Sequence, residues 1–119
     1  MAIALEEPVH QKELAQLQSY ERILSSAFLE VEFHAALKRS GVELESLARD
    51  VLASLAWILP SRRLSAEIER VLQAGFLRGA DLWHVSCALY VAREPEELVF
   101  LTLDQQQRTV ARALGFRTS

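Results

Sequence analysis

The sequence predicts an α/β fold built around a small, mainly parallel sheet. Short apolar runs of strand length, Arg22 to Ser25, Leu55 to Leu59 and Leu98 to Leu103, alternate with longer segments of helical spacing. Apart from Arg22, Ser25 and Thr102 these runs are apolar rather than alternating, the pattern of strands covered on both faces. The length, 119 residues with half of them hydrophobic, suits one domain spanning 1–119.

Glu7 to Tyr20 reads as a surface helix opened by Pro8, with Leu14 and Leu17 set among Gln, Lys and Glu. The run Arg22 to Ser25 then suits a buried strand. A longer helix follows from about Ala27 to Arg39 and stops at Ser40-Gly41. Glu43 to Ser54 is expected to be helical, and Leu55 to Leu59 a short strand or helix end closed by Pro60. Leu64 to Gln73 is the next helix, with Ser65 as its expected cap. After Gly75 and Gly79 comes an apolar helix over Leu82 to Ala92. Leu98 to Leu103 is the clearest strand, and Gln105 to Leu114 is a helix closed by Gly115.

Thirteen basic against sixteen acidic residues leave a net charge of −3, which argues against a strong duplex binder. Eleven of the thirteen are Arg, the side chain whose planar fork grips phosphate. The lone Cys87 excludes an internal disulfide and a cysteine-built zinc site within one chain. The first residues carry no basic segment and turn acidic at Glu6-Glu7, so no secretory signal is expected. No apolar stretch approaches the roughly 20 residues a membrane helix needs. A cytoplasmic protein without membrane contact is the expectation.

Three acids stand in apolar company. Glu32 has Phe28, Leu29, Ala35 and Ala36 one turn away on its helix, a stripe where a carboxylate is expensive without a partner. Asp81 opens the segment Leu82-Trp83-His84-Val85-Ser86-Cys87-Ala88-Leu89. Asp104 directly follows the last clear strand, where an open parallel sheet places its ligands. Each has a structural alternative: an ion pair or a snorkelling position for Glu32, a helix cap for the two aspartates. Gathered at one end of a sheet, however, such carboxylates repel one another unless a cation joins them. A hard ion such as Mg²⁺ or Mn²⁺ suits an all-oxygen site, and metal with carboxylates suggests phosphodiester hydrolysis.

The residues resemble the PIN domain family, in particular its VapC-type toxin ribonucleases. Arg78-Gly79-Ala80-Asp81-Leu82-Trp83-His84-Val85-Ser86-Cys87-Ala88-Leu89 looks like the third conserved block of that family. Leu101-Thr102-Leu103-Asp104, with a helix ending Ala113-Leu114-Gly115-Phe116, looks like the fourth. Ser26 through Glu32 to Leu37 resembles the second. The resemblance implies a three-layer α/β/α sandwich and a Mg²⁺- or Mn²⁺-dependent endoribonuclease. Its acidic metal site would be Glu32, Asp81 and Asp104, with Asp81 the foremost ligand and Thr102 holding a water or phosphate of the RNA substrate. It also implies a toxin that dimerises and is silenced by a cognate antitoxin protein.

One departure matters. The family opens with a short strand carrying an Asp, commonly Asp-Thr-Ser, before a segment like Ala2-Ile3-Ala4-Leu5-Glu6-Glu7-Pro8. By that match Met1 lies inside the first helix, so the first metal-binding Asp and the mid-sheet strand are both expected to be missing. No Asp precedes Asp50, and Glu6 and Glu7 match an exposed acidic turn. A start codon assigned too late is the favoured account, against loss of activity and against a partner chain that supplies the missing part. A sheet lacking its middle strand exposes edges and an apolar face, so a homodimer or higher oligomer is expected.

Among the remaining residues, His84, three after Asp81, is expected to be structural and hydrogen-bonded near the site, and His10 and His34 to be surface or packing residues. Cys87 reads as a small core residue, Trp57 and Trp83 as core or dimer-interface aromatics. Arg62, Arg63, Arg78 and Arg108 are candidate phosphate contacts, with solvation as the default. The rival to the nuclease is a catalytically silent PIN-fold binding module. A DNA-binding regulator ranks last, for want of a basic face and a recognition helix.

Overall fold

The computed structural model describes residues 2–4, 23–27, 31, 34, 35, 38, 50, 53 and 55–118. They form a parallel five-stranded sheet with three complete helices. The strands are β1 (Ala2–Ala4), β2 (Ile23–Ser26), β3 (Leu55–Ile58), β4 (Val99–Leu101) and β5 (Arg117–Thr118). The helices are α1 (Ser65–Ala74), α2 (Gly79–Val91) and α3 (Gln105–Ala113), with a short 3-10 turn over Pro95–Glu97 before β4. The expected α/β class with a parallel sheet is therefore present.

The strand order is β3-β2-β1-β4-β5, with every pairing parallel. This corrects the expectation that the middle strand is missing. Ala2–Ala4 occupies that place, with Ala2 opposite Ile23 on one side and opposite Val99 on the other. Three residues make a strand here because both of its edges are paired. The exposed-edge argument for an oligomer loses its ground with this correction.

From β1 the chain steps to β2 and β3 on one side of the sheet, and later from β4 to β5 on the other. The direction of winding reverses between β1 and β4. In open parallel sheets that reversal opens a crevice beyond the carboxyl ends of the strands, the usual place for a ligand.

Helix α2 packs against β2 and touches both α1 and α3, while α3 covers β4 and β5. Its run His84 to Leu89 is buried without a break, as befits a helix apolar all round. Helix α3 is amphipathic instead: Gln107, Val110 and Ala111 face inward while Gln105, Gln106 and Arg112 face solvent. The core joins the helices to the sheet through Val71, Val85, Cys87, Phe100, Val110 and Phe116. The Phe100 and Phe116 rings meet at 5.8 Å between centroids.

Two glycines have a physical reason. Gly75 ends α1 against α3, and a Cβ there would lie 2.7 Å from Val110 Cγ2. Gly115 takes φ +103, closing α3 with the Phe116 N–H on the Ala111 carbonyl and the Gly115 N–H on the Arg112 carbonyl. That turn feeds β5, a strand too short to stand out in the sequence.

Some local expectations change. Ser65 is the first helical residue of α1, behind Leu64, and not its cap. Trp83 is exposed and does not belong to the core, whereas Cys87 does, with burial pushing its thiol up to about 12. Val31, His34, Ala35 and Lys38 are helical, within the segment expected to be so, and exposed. Their spacing makes them one face, which puts Ala35 in solvent and not on the buried stripe expected around Glu32. The helix expected over Glu7 to Tyr20 lies outside the described residues, as does His10. No helix among the described residues is long and apolar enough to cross a membrane.

Candidate functional site

The carboxyl edge of the sheet beside the β1/β4 reversal is formed by the segment leaving β4 and by the first turns of α2 and α3. β4 ends at Leu101, and the next three residues, Thr102, Leu103 and Asp104, carry the chain into α3. Asp104 is the N-cap of α3: its Oδ1 accepts the Gln107 N–H at 2.8 Å. The structural alternative thus holds for Asp104, yet capping uses one oxygen of a carboxylate that has two.

Thr102 is buried, and its hydroxyl is engaged within the protein. It donates to Gln107 Oε1 at 2.6 Å and accepts the Asp104 N–H at 3.0 Å. The resemblance implies a water or phosphate at this hydroxyl; the structure gives it internal partners. Arg108 donates from Nη2 to the Thr102 carbonyl at 2.7 Å and from Nη1 to Gln105 Oε1 at 2.9 Å. Its buried Nε has no hydrogen-bond partner among the described residues. Arg108 therefore braces the turn after β4 and does not stand free as a phosphate contact.

Asp81 is not a cap. Helix α2 begins at Gly79 behind Arg78, which places Asp81 in the first turn as its third residue. A carboxylate is favoured there by the partial positive charge of the helix start. Its backbone carbonyl accepts a hydrogen bond from Gln107 Nε2 at 3.3 Å. One turn on, His84 is buried, with Nδ1 2.6 Å from Ser26 Oγ at the carboxyl end of β2. This bond supports the structural reading of His84 and fixes α2 on the sheet.

Asp81 and Asp104 are thus tied together through a single residue, Gln107. It has no exposed surface, and its backbone N–H, Oε1 and Nε2 engage Asp104, Thr102 and Asp81. Sequence reasoning passed over it. The signal available was its spacing: an Asp followed three residues later by Gln is a capping-box pattern. Here the glutamine reaches the Thr102 hydroxyl, which in turn takes the cap residue's N–H. Glu32 lies outside the described residues. Among the described residues no three of His, Cys, Asp and Glu gather into a metal-sized group.

Of the other arginines, Arg62 is committed elsewhere. Its Nη1 and Nη2 pair with both carboxylate oxygens of Glu67 at 3.1 and 2.6 Å, and its guanidinium lies over the Tyr90 ring at 5.1 Å. That guanidinium holds the Glu67 carboxyl below its ordinary range. Arg63 and Arg78 are exposed.

Compared with protein-family models, curated proteins and solved structures, the chain finds no match in any of the three.

Proposed function

We propose that this chain is a PIN-like, three-layer α/β/α endoribonuclease of the VapC type. It would hydrolyse RNA phosphodiester bonds with a carboxylate-held Mg²⁺ or Mn²⁺, and act as a toxin held in check by an antitoxin protein. The observation that supports it best is the joining of Asp81 and Asp104 through Gln107 beside the strand-order reversal. These are the acids of the third and fourth blocks in the sequence resemblance.

The donor set fits a hard divalent ion. Asp81 and Asp104 would supply its oxygen ligands, since Mg²⁺ takes one or two carboxylates and keeps several waters. Such an ion would supply charge neutralisation at the phosphate and activation of a water. The protein's part is to hold Asp81 at the start of α2 and Asp104 at the start of α3. Thr102 and Gln107 set their frame, and Glu32 is the proposed third acid. A homo-oligomer remains part of the proposal.

The second reading, a silent binding module of the same fold, is favoured by the absence of any Asp before Asp50. Thermal unfolding with and without millimolar Mn²⁺ separates the two. A competent acidic cluster gains stability by mass action, by about 2.7 kcal/mol when the ion is at a hundred times its Kd. An unchanged Tm contradicts the nuclease.

A further inference from the structure

We infer that Gln107 is a positioning residue of the acidic site, fixing where Asp81 sits relative to Asp104; this rests on the nuclease reading above. Among the described residues its side chain spans the two acidic turns. Oε1 takes the Thr102 hydroxyl at 2.6 Å and Nε2 reaches the Asp81 carbonyl at 3.3 Å, while the backbone N–H takes Asp104 Oδ1 at 2.8 Å.

The amide is needed for both arms. An acceptor faces the Thr102 hydroxyl and takes its proton, while that oxygen itself accepts the Asp104 N–H. A donor must face the Asp81 carbonyl at the same time. Glutamine offers one of each at the end of one planar group. Glutamate offers the acceptor but sets oxygen against oxygen at Asp81, and methionine of similar length offers neither. Burial of the whole side chain keeps water from replacing the lost bonds. Two turns that belong to different helices are thereby held in one register, and rates of positioned chemistry fall steeply with small misplacements.

The test uses Gln107→Met, Gln107→Glu, Thr102→Ser and Thr102→Val in the full chain. Four quantities are read: Tm, backbone amide NMR shifts, Mn²⁺ affinity by electron paramagnetic resonance, and kcat and KM on single-stranded RNA. The expected result is a folded Gln107→Met in which amides 79–82 shift together with 102–107. Its kcat falls ten- to a hundredfold, with KM within twofold and weaker Mn²⁺ binding. Gln107→Glu is expected to lose activity as well, Thr102→Ser to keep it, and Thr102→Val combined with Gln107→Met to be no worse than the poorer single variant. A Gln107→Met protein with a lowered Tm but wild-type kcat and Mn²⁺ affinity overturns the inference, because its role is then stability alone. Wild-type protein that neither binds Mn²⁺ nor cuts RNA overturns the nuclease reading instead. In that case the amide shifts decide: movement at 79–82 upholds the positioning role and no movement overturns it.

Discussion

Asp104 caps a helix in the structure and holds a metal in the proposal, and one pair of substitutions pulls the two roles apart. Its Oδ1 caps α3 by accepting the N–H of Gln107, a residue with no exposed surface. Asp104→Ala deletes the acceptor and leaves that N–H without a partner, which costs about 1–2 kcal/mol. Asp104→Asn retains an amide oxygen in the capping position and loses only the charge at the helix start, about 0.5 kcal/mol. In a chain of this length 1 kcal/mol moves Tm by about 4 °C. Thermal unfolding should therefore lower Asp104→Ala by about 4–8 °C and Asp104→Asn by about 2 °C. Cleavage of RNA should fall in both, because each lacks the carboxylate. An Asn variant as destabilised as the Ala variant refutes the capping account. An Asn variant of full activity refutes the metal-holding one.

Other outcomes follow from the packing and the burial. Ser26→Ala should destabilise by about 0.5–1.5 kcal/mol in chemical denaturation, since the 2.6 Å bond between Ser26 Oγ and the buried His84 Nδ1 is removed. Gly75→Ala should cost about 1–3 kcal/mol, because its Cβ would meet Val110 Cγ2 at 2.7 Å; neutrality would show that α1 and α3 part easily. Cys87 gives a pH dependence whose sign is fixed by its raised pKa. Above 9.0 the unfolded chain releases a thiol proton that the folded chain keeps until about 12, so stability falls as pH rises through that window. The slope contributed is at most about 1.4 kcal/mol per pH unit, and it should vanish in Cys87→Ala.

The sequence made β2, β3, β4 and the three helices legible because their signals are local. Leu98 to Leu101 is an unbroken apolar run, Gly115 sits where a left-handed turn ends α3, and the segment from Leu82 to Leu89 is mostly apolar. What escaped depends on neighbours that sequence does not show. Ala2-Ile3-Ala4 has no strand signature of its own and becomes β1 by pairing with β2 on one side and β4 on the other. Ser65 was expected to cap and Asp81 to open its helix, yet Ser65 is already the first residue of its helix and Asp81 the third of its own. Gln107 sits in a run of three glutamines that reads as solvent-facing, and its burial is decided by where Thr102 and the first turn of α2 lie. The aspartates themselves could be picked out by residue type and position. The residue that joins them could not.

The central claim is that Asp81 and Asp104 belong to a metal-dependent RNA-cleaving site. Its most direct test is incubation of the protein with a panel of labelled single-stranded and structured RNAs in Mn²⁺, beside EDTA and Asp81→Asn controls. The account predicts cleavage in Mn²⁺ that is abolished by EDTA and lost in Asp81→Asn with the fold retained. Intact RNA throughout, or cutting that persists in Asp81→Asn, would contradict it.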